Sequence, residues 1–474
     1  MRLTLRDIAL RLSGQAMDAP AGDVVVTTVR TDNREVAPGD LFFCLKGERF
    51  DGHDFAAAAA KAGACAIVAS RPLPELDALT CPVIQVANTQ LALGLLARHW
   101  RDAATAKVIA ITGTAGKTTA KELLAQTLGS VIRVAKNHKN FNNQVGLPLS
   151  MLAADGREDA WVMEAGISRP GDMAELGVII APDLAVVLNI GPAHLQGLGD
   201  LSGVARAKAA LLSFVKPGGL GLCSMDYPEL WAEATRVFPE VAGFSTQNSF
   251  AKYYARFEEP LPGGRGLYEI IVDGQAFWAE LPACGTHFAE NAAAVAGACH
   301  MLGLSPEQIA RGLGSAVLPG QRFCCKESGP WRVVDDSYNA NPLSMGRSLE
   351  AARLMAGEGR LVLVLGDMGE LGDEADQAHE GIGAVVAAVR PDLVFYQGAH
   401  AADVARGITA AGASVKVEPV SGPKRVLSAL AALDGGTVLV KGSRFCRMEV
   451  YAEAIAAALC GECGEPKNAK EGTK

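Results

Sequence analysis

The chain has 474 residues, a net charge of −8 and 49% hydrophobic residues. That length suggests about three domains, and the acidic balance excludes a nucleic-acid surface, which needs a basic stripe. No run of about 20 apolar residues occurs, which excludes a helical membrane span, and Met1–Asp7 has no signal-peptide core, so a cytoplasmic protein is expected.

Residues 1–103 open with a short helix pattern, followed by predicted strands Val24–Val29 and Leu41–Leu45. Helix Phe55–Ala62, strand Ala66–Ala69 and helix Leu91–Trp100 come next, with a boundary near Arg101–Ala106. The region 104–316 alternates strands Val108–Thr112, Ala160–Glu164, Leu184–Ile190 and Gly219–Ser224 with helices Lys117–Leu128, Ser202–Leu212 and Glu290–Leu302. Such alternation predicts an α/β fold with a mostly parallel sheet and helices on both faces. Ligands of these sheets sit at the carboxyl ends of the strands, so Thr112, Glu164 and Asn189 should converge. Phe250–Ala283 reads as antiparallel hairpins. The region 317–460 is a second α/β unit, with strands Trp331–Asp335, Leu361–Leu365, Leu393–Tyr396 and Thr437–Lys441 and a helix beginning near Asn341-Pro342. The polar stretch 461–474 is expected to be disordered.

The sharpest local signal is Thr112-Gly-Thr-Ala-Gly-Lys-Thr-Thr119, directly after an apolar strand. Glycines let backbone N–H groups approach an anion, a helix N-terminus adds positive potential, and a lysine neutralises phosphate charge. The spacing is G-x-x-G-K-T, shorter than the usual phosphate-loop pattern, because Ile111 stands six residues before Lys117. Thr118 is placed to ligate Mg²⁺. Glu164 ends the next strand and could join it, although an exposed strand-end glutamate is the commoner occurrence. Asn189-Ile-Gly-Pro-Ala-His194 ends a third strand. Lys208 lies on an Ala-rich helix that suits a partly buried, reactive amine, or a snorkelling surface lysine. Glu290 and Asn291 open a helix, where capping is the simplest role. Gly320-Gln-Arg322 suits a phosphate contact, and Asp335-Asp-Ser-Tyr-Asn-Ala-Asn-Pro342 packs polar groups into a strand-to-helix turn. The 11 cysteines, an odd number, read as reduced thiols. Cys460-Gly-Glu-Cys463 has no second pair to make a zinc site.

Taken in order, the phosphate loop, Glu164, Asn189-Ile-Gly-Pro-Ala-His194-Leu, Ala207-Lys208, Asn291 and Gly320-Gln-Arg322 resemble the Mur ligases over nearly the whole chain. These are ATP-dependent amide-forming enzymes of peptidoglycan precursor synthesis, and they are similar in turn to folylpolyglutamate synthetase. The Asp335–Pro342 segment, Asn140-Phe-Asn-Asn143 and Leu365-Gly-Asp-Met-Gly-Glu-Leu371 resemble those members that add D-alanyl-D-alanine to UDP-N-acetylmuramoyl-tripeptide. The resemblance implies a UDP-sugar domain (1–103), an ATP domain (104–316) and a Rossmann-like lid (317–460) in a monomer. It further implies that Gly113, Thr114, Ala115, Gly116, Lys117, Thr118 and Thr119 hold the ATP phosphates. Thr118 and Glu164 would hold one Mg²⁺, and His194 and a CO₂-carbamylated Lys208 a second. Asn291 would lie by the adenine, Asp336 by the ribose and Arg322 by the γ-phosphate. Arg34, Lys46, Asn140, Asn143, Asn339, Asn341 and Asp367 are the expected contacts to the two condensing substrates.

Overall fold

The computed structural model describes residues 3–13, 21–74, 76, 81–138, 140–192 and 195–460. The largest sheet has nine strands. From one edge they run Val134–Lys136, Ala160–Glu164, Lys107–Thr112, Leu184–Val187, Leu220–Ser224, Ala242–Ser245 and Tyr253–Leu261, all parallel, then Arg265–Val272 and Gln275–Leu281, antiparallel. The inner strands are buried on both faces because helices cover both, so they carry near-continuous apolar runs. Alternation sorts them: Ile109 and Ile111 pack with Leu123, Leu124 and Leu128 of the helix Lys117–Gly129. Val108 and Ala110 point the other way, toward Leu93 of Thr89–Ala103 and Met151 of Gly146–Ala153.

A six-stranded sheet follows in the order Cys324–Ser328, Trp331–Asp336, Gly436–Lys441, Leu361–Gly366, Leu393–Gln397, Val417–Pro419, parallel except for the first pair. One of its faces shares a core with the nine-stranded sheet, where Leu349, Leu363 and Val334 join Phe288 and Leu318. Nearer the N-terminus, Val29–Arg30, Leu41–Phe43, Ala66–Ala69 and Val83–Gln85 form a parallel four-stranded sheet. No helix among the described residues is long and apolar enough to cross a membrane.

Several boundaries move from their sequence expectation. The Val24–Val29 strand is two pieces: Val25–Val26 pairs with Leu3–Thr4, and Val29–Arg30 enters the sheet. Leu184–Val187 stops short of Ile190, because Asn189 turns to hydrogen-bond Thr114. The Ser202–Leu212 helix is Leu201–Ala209 followed by a tighter turn, Ala210–Phe214. The expected Glu290–Leu302 helix begins earlier, at His287, and ends at Met301. Cys463 and the tail 461–474 lie outside the described residues.

Candidate active site

The strand Lys107–Thr112 lies between Ala160–Glu164 and Leu184–Val187, so Thr112, Glu164 and Asn189 emerge side by side. The loop from Gly113 to Gly116 then feeds the helix starting at Lys117. Gly116 has φ of 76°, and a Cβ there would stand 2.7 Å from Asn291 Oδ1, so this turn requires glycine. Asn189 fixes the loop: its Oδ1 accepts from Thr114 N (3.0 Å) and Ala115 N (2.8 Å). The Lys117 ammonium donates to Gly113 O (2.9 Å), and burial lowers its pKa.

Thr118 Oγ1 donates to Glu164 Oε2 at 2.7 Å, and Asn142 Nδ2 donates to Glu164 Oε1 at 2.7 Å. Glu164 is 2% exposed, so it is not a solvated strand-end residue. Its backbone N–H is held by Asn137 Oδ1. A hydroxyl and a carboxylate in contact are hard oxygen donors of the kind Mg²⁺ takes. Lys208 is buried, not snorkelling, and donates to Gly113 O (3.0 Å). Burial first, and the Lys117 charge second, depress its pKa well below that of a free lysine.

A cavity of about 430 Å³ is lined by Thr114, Ala115, Gly116, Lys117, Thr118, Thr119, Asn140, Asn143, Glu164, Asn291, Arg322, Asp336, Asn339 and Asn341. Its walls come from both the nine- and six-stranded units. Asn291 is 2% exposed and its Oδ1 has no hydrogen-bond partner among the described residues. Neither Asn291 nor Glu290 caps the helix: Thr286 takes the cap position and both residues lie inside the first turns. The Arg322 guanidinium stacks 4.0 Å from the Tyr338 ring centroid. Asp336 accepts from Ser348 Oγ (2.6 Å), from Phe323 N (3.1 Å) and from Lys441. Asn341 Oδ1 caps the helix Pro342–Ala356 through Ser344 N, and Asn143 Oδ1 accepts from Gly146 N at the start of another helix.

The remaining expected site residues stand elsewhere. Gly113 and Lys208 sit beside the cavity without lining it. Arg34 is exposed and paired with Asp32, and Lys46 stands in an isolated backbone β-bridge with Asp51, both in the N-terminal unit. Asp367 is buried in the C-terminal unit, where it accepts from Ala399 N (2.8 Å) and His400 N (3.2 Å) instead of facing the cavity. His194 lies outside the described residues.

Four further residues take part in roles the sequence did not assign them: Asn142 holds Glu164; His287 lines the cavity, its Nδ1 without a hydrogen-bond partner among the described residues; Lys441 holds Asp336; Tyr338 supports Arg322. Each stands in a stretch with a local signal: the asparagine cluster at 140–143, the polar start of the helix that carries Asn291, the predicted strand Thr437–Lys441 and the Asp335–Pro342 turn.

Comparison with known proteins agrees with this geometry. Three family models match in order: the Mur ligase family catalytic domain over 25–101, the Mur ligase middle domain over 111–299, and the Mur ligase glutamate ligase domain over 321–444. The UDP-N-acetylmuramoyl-tripeptide–D-alanyl-D-alanine ligase of Bacillus subtilis is 33% identical, covering 95% of this chain and 97% of its own. The crystal structure of MurF from Acinetobacter baumannii superposes with a TM-score of 0.85 at 29% identity, over 96% of this chain and 99% of that one. MurF ligase from Thermotoga maritima, solved in complex with ADP, gives 0.83 at 29% identity, over 94% and 99%.

Proposed function

The chain belongs to the Mur ligase family, and we propose from this premise that it is the ATP-dependent ligase that joins D-alanyl-D-alanine to UDP-N-acetylmuramoyl-tripeptide. The observation that carries the nucleotide half of the reading is the phosphate loop with Thr118 and Glu164 in contact at its mouth. The residues fit the groups they are meant to hold. The unpartnered, buried Asn291 Oδ1 beside Gly116 is an acceptor waiting for a donor such as the exocyclic amine of adenine. Thr118 and Glu164 would hold Mg²⁺ through oxygen, and the ion would supply neutralisation of phosphate charge.

In this mechanism the tripeptide's terminal carboxylate oxygen attacks the γ-phosphorus of ATP and ADP leaves, giving an acyl phosphate. The dipeptide amine then attacks the carbonyl carbon, loses a proton and expels phosphate. The first step brings two anions together, and the second builds negative charge on the carbonyl oxygen and the departing phosphate, so Lys117, Arg322 and the backbone N–H groups of Thr114–Thr119 stabilise the developing charge. The C-terminal unit closes one wall of the cavity and excludes water from the acyl phosphate. We assign the nucleotide sugar to the N-terminal unit with Arg34 and Lys46, and the condensing ends to the cavity side with Asn140, Asn143, Asn339 and Asn341. The enzyme is assigned to the cytoplasm, where ATP and nucleotide sugars are found.

Lys208 is proposed to be carbamylated. Its depressed pKa supports the neutral amine that CO₂ needs, with one proton released, and the product replaces a cation by oxygen donors for a second Mg²⁺, together with His194. Lys208→Ala should lose activity and regain part of it with short carboxylic acids; full activity in that variant would sink the carbamate role.

The deciding experiment is phosphate release from ATP with Mg²⁺ and UDP-N-acetylmuramoyl-tripeptide while the amino partner is varied. Release that depends on D-alanyl-D-alanine is the expected result. Release with D-glutamate, diaminopimelate or a glutamyl-folate pair instead would keep the ligase chemistry and overturn the substrates.

A further inference from the structure

Glu290 is a carboxylate only 3% exposed on the first turn of the helix His287–Met301, and the reaction as derived above does not use it. It has three partners from three parts of the chain. Arg347 Nη1, on the helix Pro342–Ala356 of the C-terminal unit, donates to Glu290 Oε2 at 2.9 Å. Tyr227 OH, just before the helix Pro228–Val237, donates to Oε1 at 2.9 Å and itself accepts from Arg347 Nη2. Asn189 Nδ2 donates to Oε2 at 2.6 Å. Asn189 is the residue whose Oδ1 holds the Thr114 and Ala115 amides and whose Nδ2 also donates to Ala115 O at 3.1 Å.

An unbroken run of hydrogen bonds therefore leads from the C-terminal unit to the backbone that faces the phosphates. An amide side chain has two orientations, and the acceptor on its nitrogen side selects one. With Glu290 held, Asn189 must present its oxygen to the loop. If the C-terminal unit moves away, Glu290 loses its cation, and the anchor on Asn189 loosens.

We propose that Arg347 and Glu290 form a clasp that couples the seating of the C-terminal unit to the shape of the phosphate loop, acting through Asn189 as positioning residues for nucleotide binding. The inference rests on the nucleotide-site reading given above and adds to it a route by which the seating of the C-terminal unit reports on the loop.

The test is Mg·ADP affinity, measured by calorimetry on full-length wild type, Arg347→Met, Glu290→Gln and the double variant, each with its melting temperature. Each single variant is expected to bind ADP about tenfold more weakly, and the double no more weakly than either, as for two links of one coupled unit. Arg347→Lys keeps the charge and should fall between wild type and Met; it also serves if Arg347→Met does not fold. Unchanged ADP affinity with a lowered melting temperature would reduce the pair to a structural role and overturn the clasp. Weakening by Arg347→Met but not by Glu290→Gln would overturn it too, since Arg347 lines the cavity and could touch the nucleotide itself. A wild type that binds no Mg·ADP would overturn the nucleotide reading, and the clasp with it.

Discussion

The nine- and six-stranded units each carry a cluster of polar side chains near the carboxyl ends of their parallel strands, and the two clusters end in opposite states. In the nine-stranded unit, Asn291 Oδ1 and His287 Nδ1 are buried beside the cavity without hydrogen-bond partners among the described residues, and Thr118 and Glu164 face it. In the six-stranded unit, Asp367, His379 and His400 come close enough to hold a metal ion, yet they are already engaged within the protein. Asp367 accepts two backbone N–H groups; His379 Nε2 accepts from Met368 N at 2.9 Å and its Nδ1 meets Ala375 O at 2.7 Å. The His379 and His400 rings stack 4.1 Å apart at 8°. A polar cluster whose bonds are all internal shapes a loop. One with orphaned atoms beside a cavity has acceptors left for a ligand.

The largest effect is expected where the contrast is sharpest. Lys117→Met should lower ATP-dependent turnover by about 10³-fold, while its melting temperature holds or rises, because a buried ammonium whose pKa is already depressed is costly to keep. A turnover near wild type would remove Lys117 from the reaction. Next, Glu164→Gln should cut turnover about 10²-fold and raise the Mg²⁺ concentration needed for half-maximal rate; an unaltered Mg²⁺ requirement would count against this carboxylate as a ligand.

The C-terminal cluster should respond in the opposite way. Asp367→Asn is expected to cost about 1–3 kcal/mol of stability, measured by urea unfolding, through the one amide left facing an NH₂ donor in place of its acceptor, with ADP affinity within about twofold of wild type. Weakened ADP binding at unchanged stability would erase the distinction between the clusters. The smallest effect concerns acid. Burial, then the charges of Arg347 and Lys441, hold His287 well below the usual histidine pKa. The unfolded chain therefore binds a proton that the folded one refuses, and this contribution to stability falls as pH drops below about 6.5. His287→Gln should flatten that part of the pH–stability curve by up to about 1.4 kcal/mol per pH unit; an unchanged slope would show that His287 is not buried neutral.

What the sequence by itself determined is local. The strand, glycine turn and lysine helix at 107–129 are contiguous, so their conformational demands are written in adjacent residues. The alternation of apolar strands and helices likewise fixes a parallel sheet with helices on both faces, because that is how such strands bury both sides. The Asn341 cap was legible for the same reason, lying next to the proline that starts its helix. Only the tertiary structure decided which polar groups are left unpaired. Lys208 meets Gly113 O across 95 positions, Asn189 reaches Thr114 N across 75, and Arg347 reaches Glu290 across 57. Nothing near Glu290 in the chain distinguishes a helix cap from a buried anion, and nothing near Asp367 announces the two amides that occupy it. Hydrogen bonding saturates, so the role of each polar side chain depends on which distant partners the fold places within reach of it.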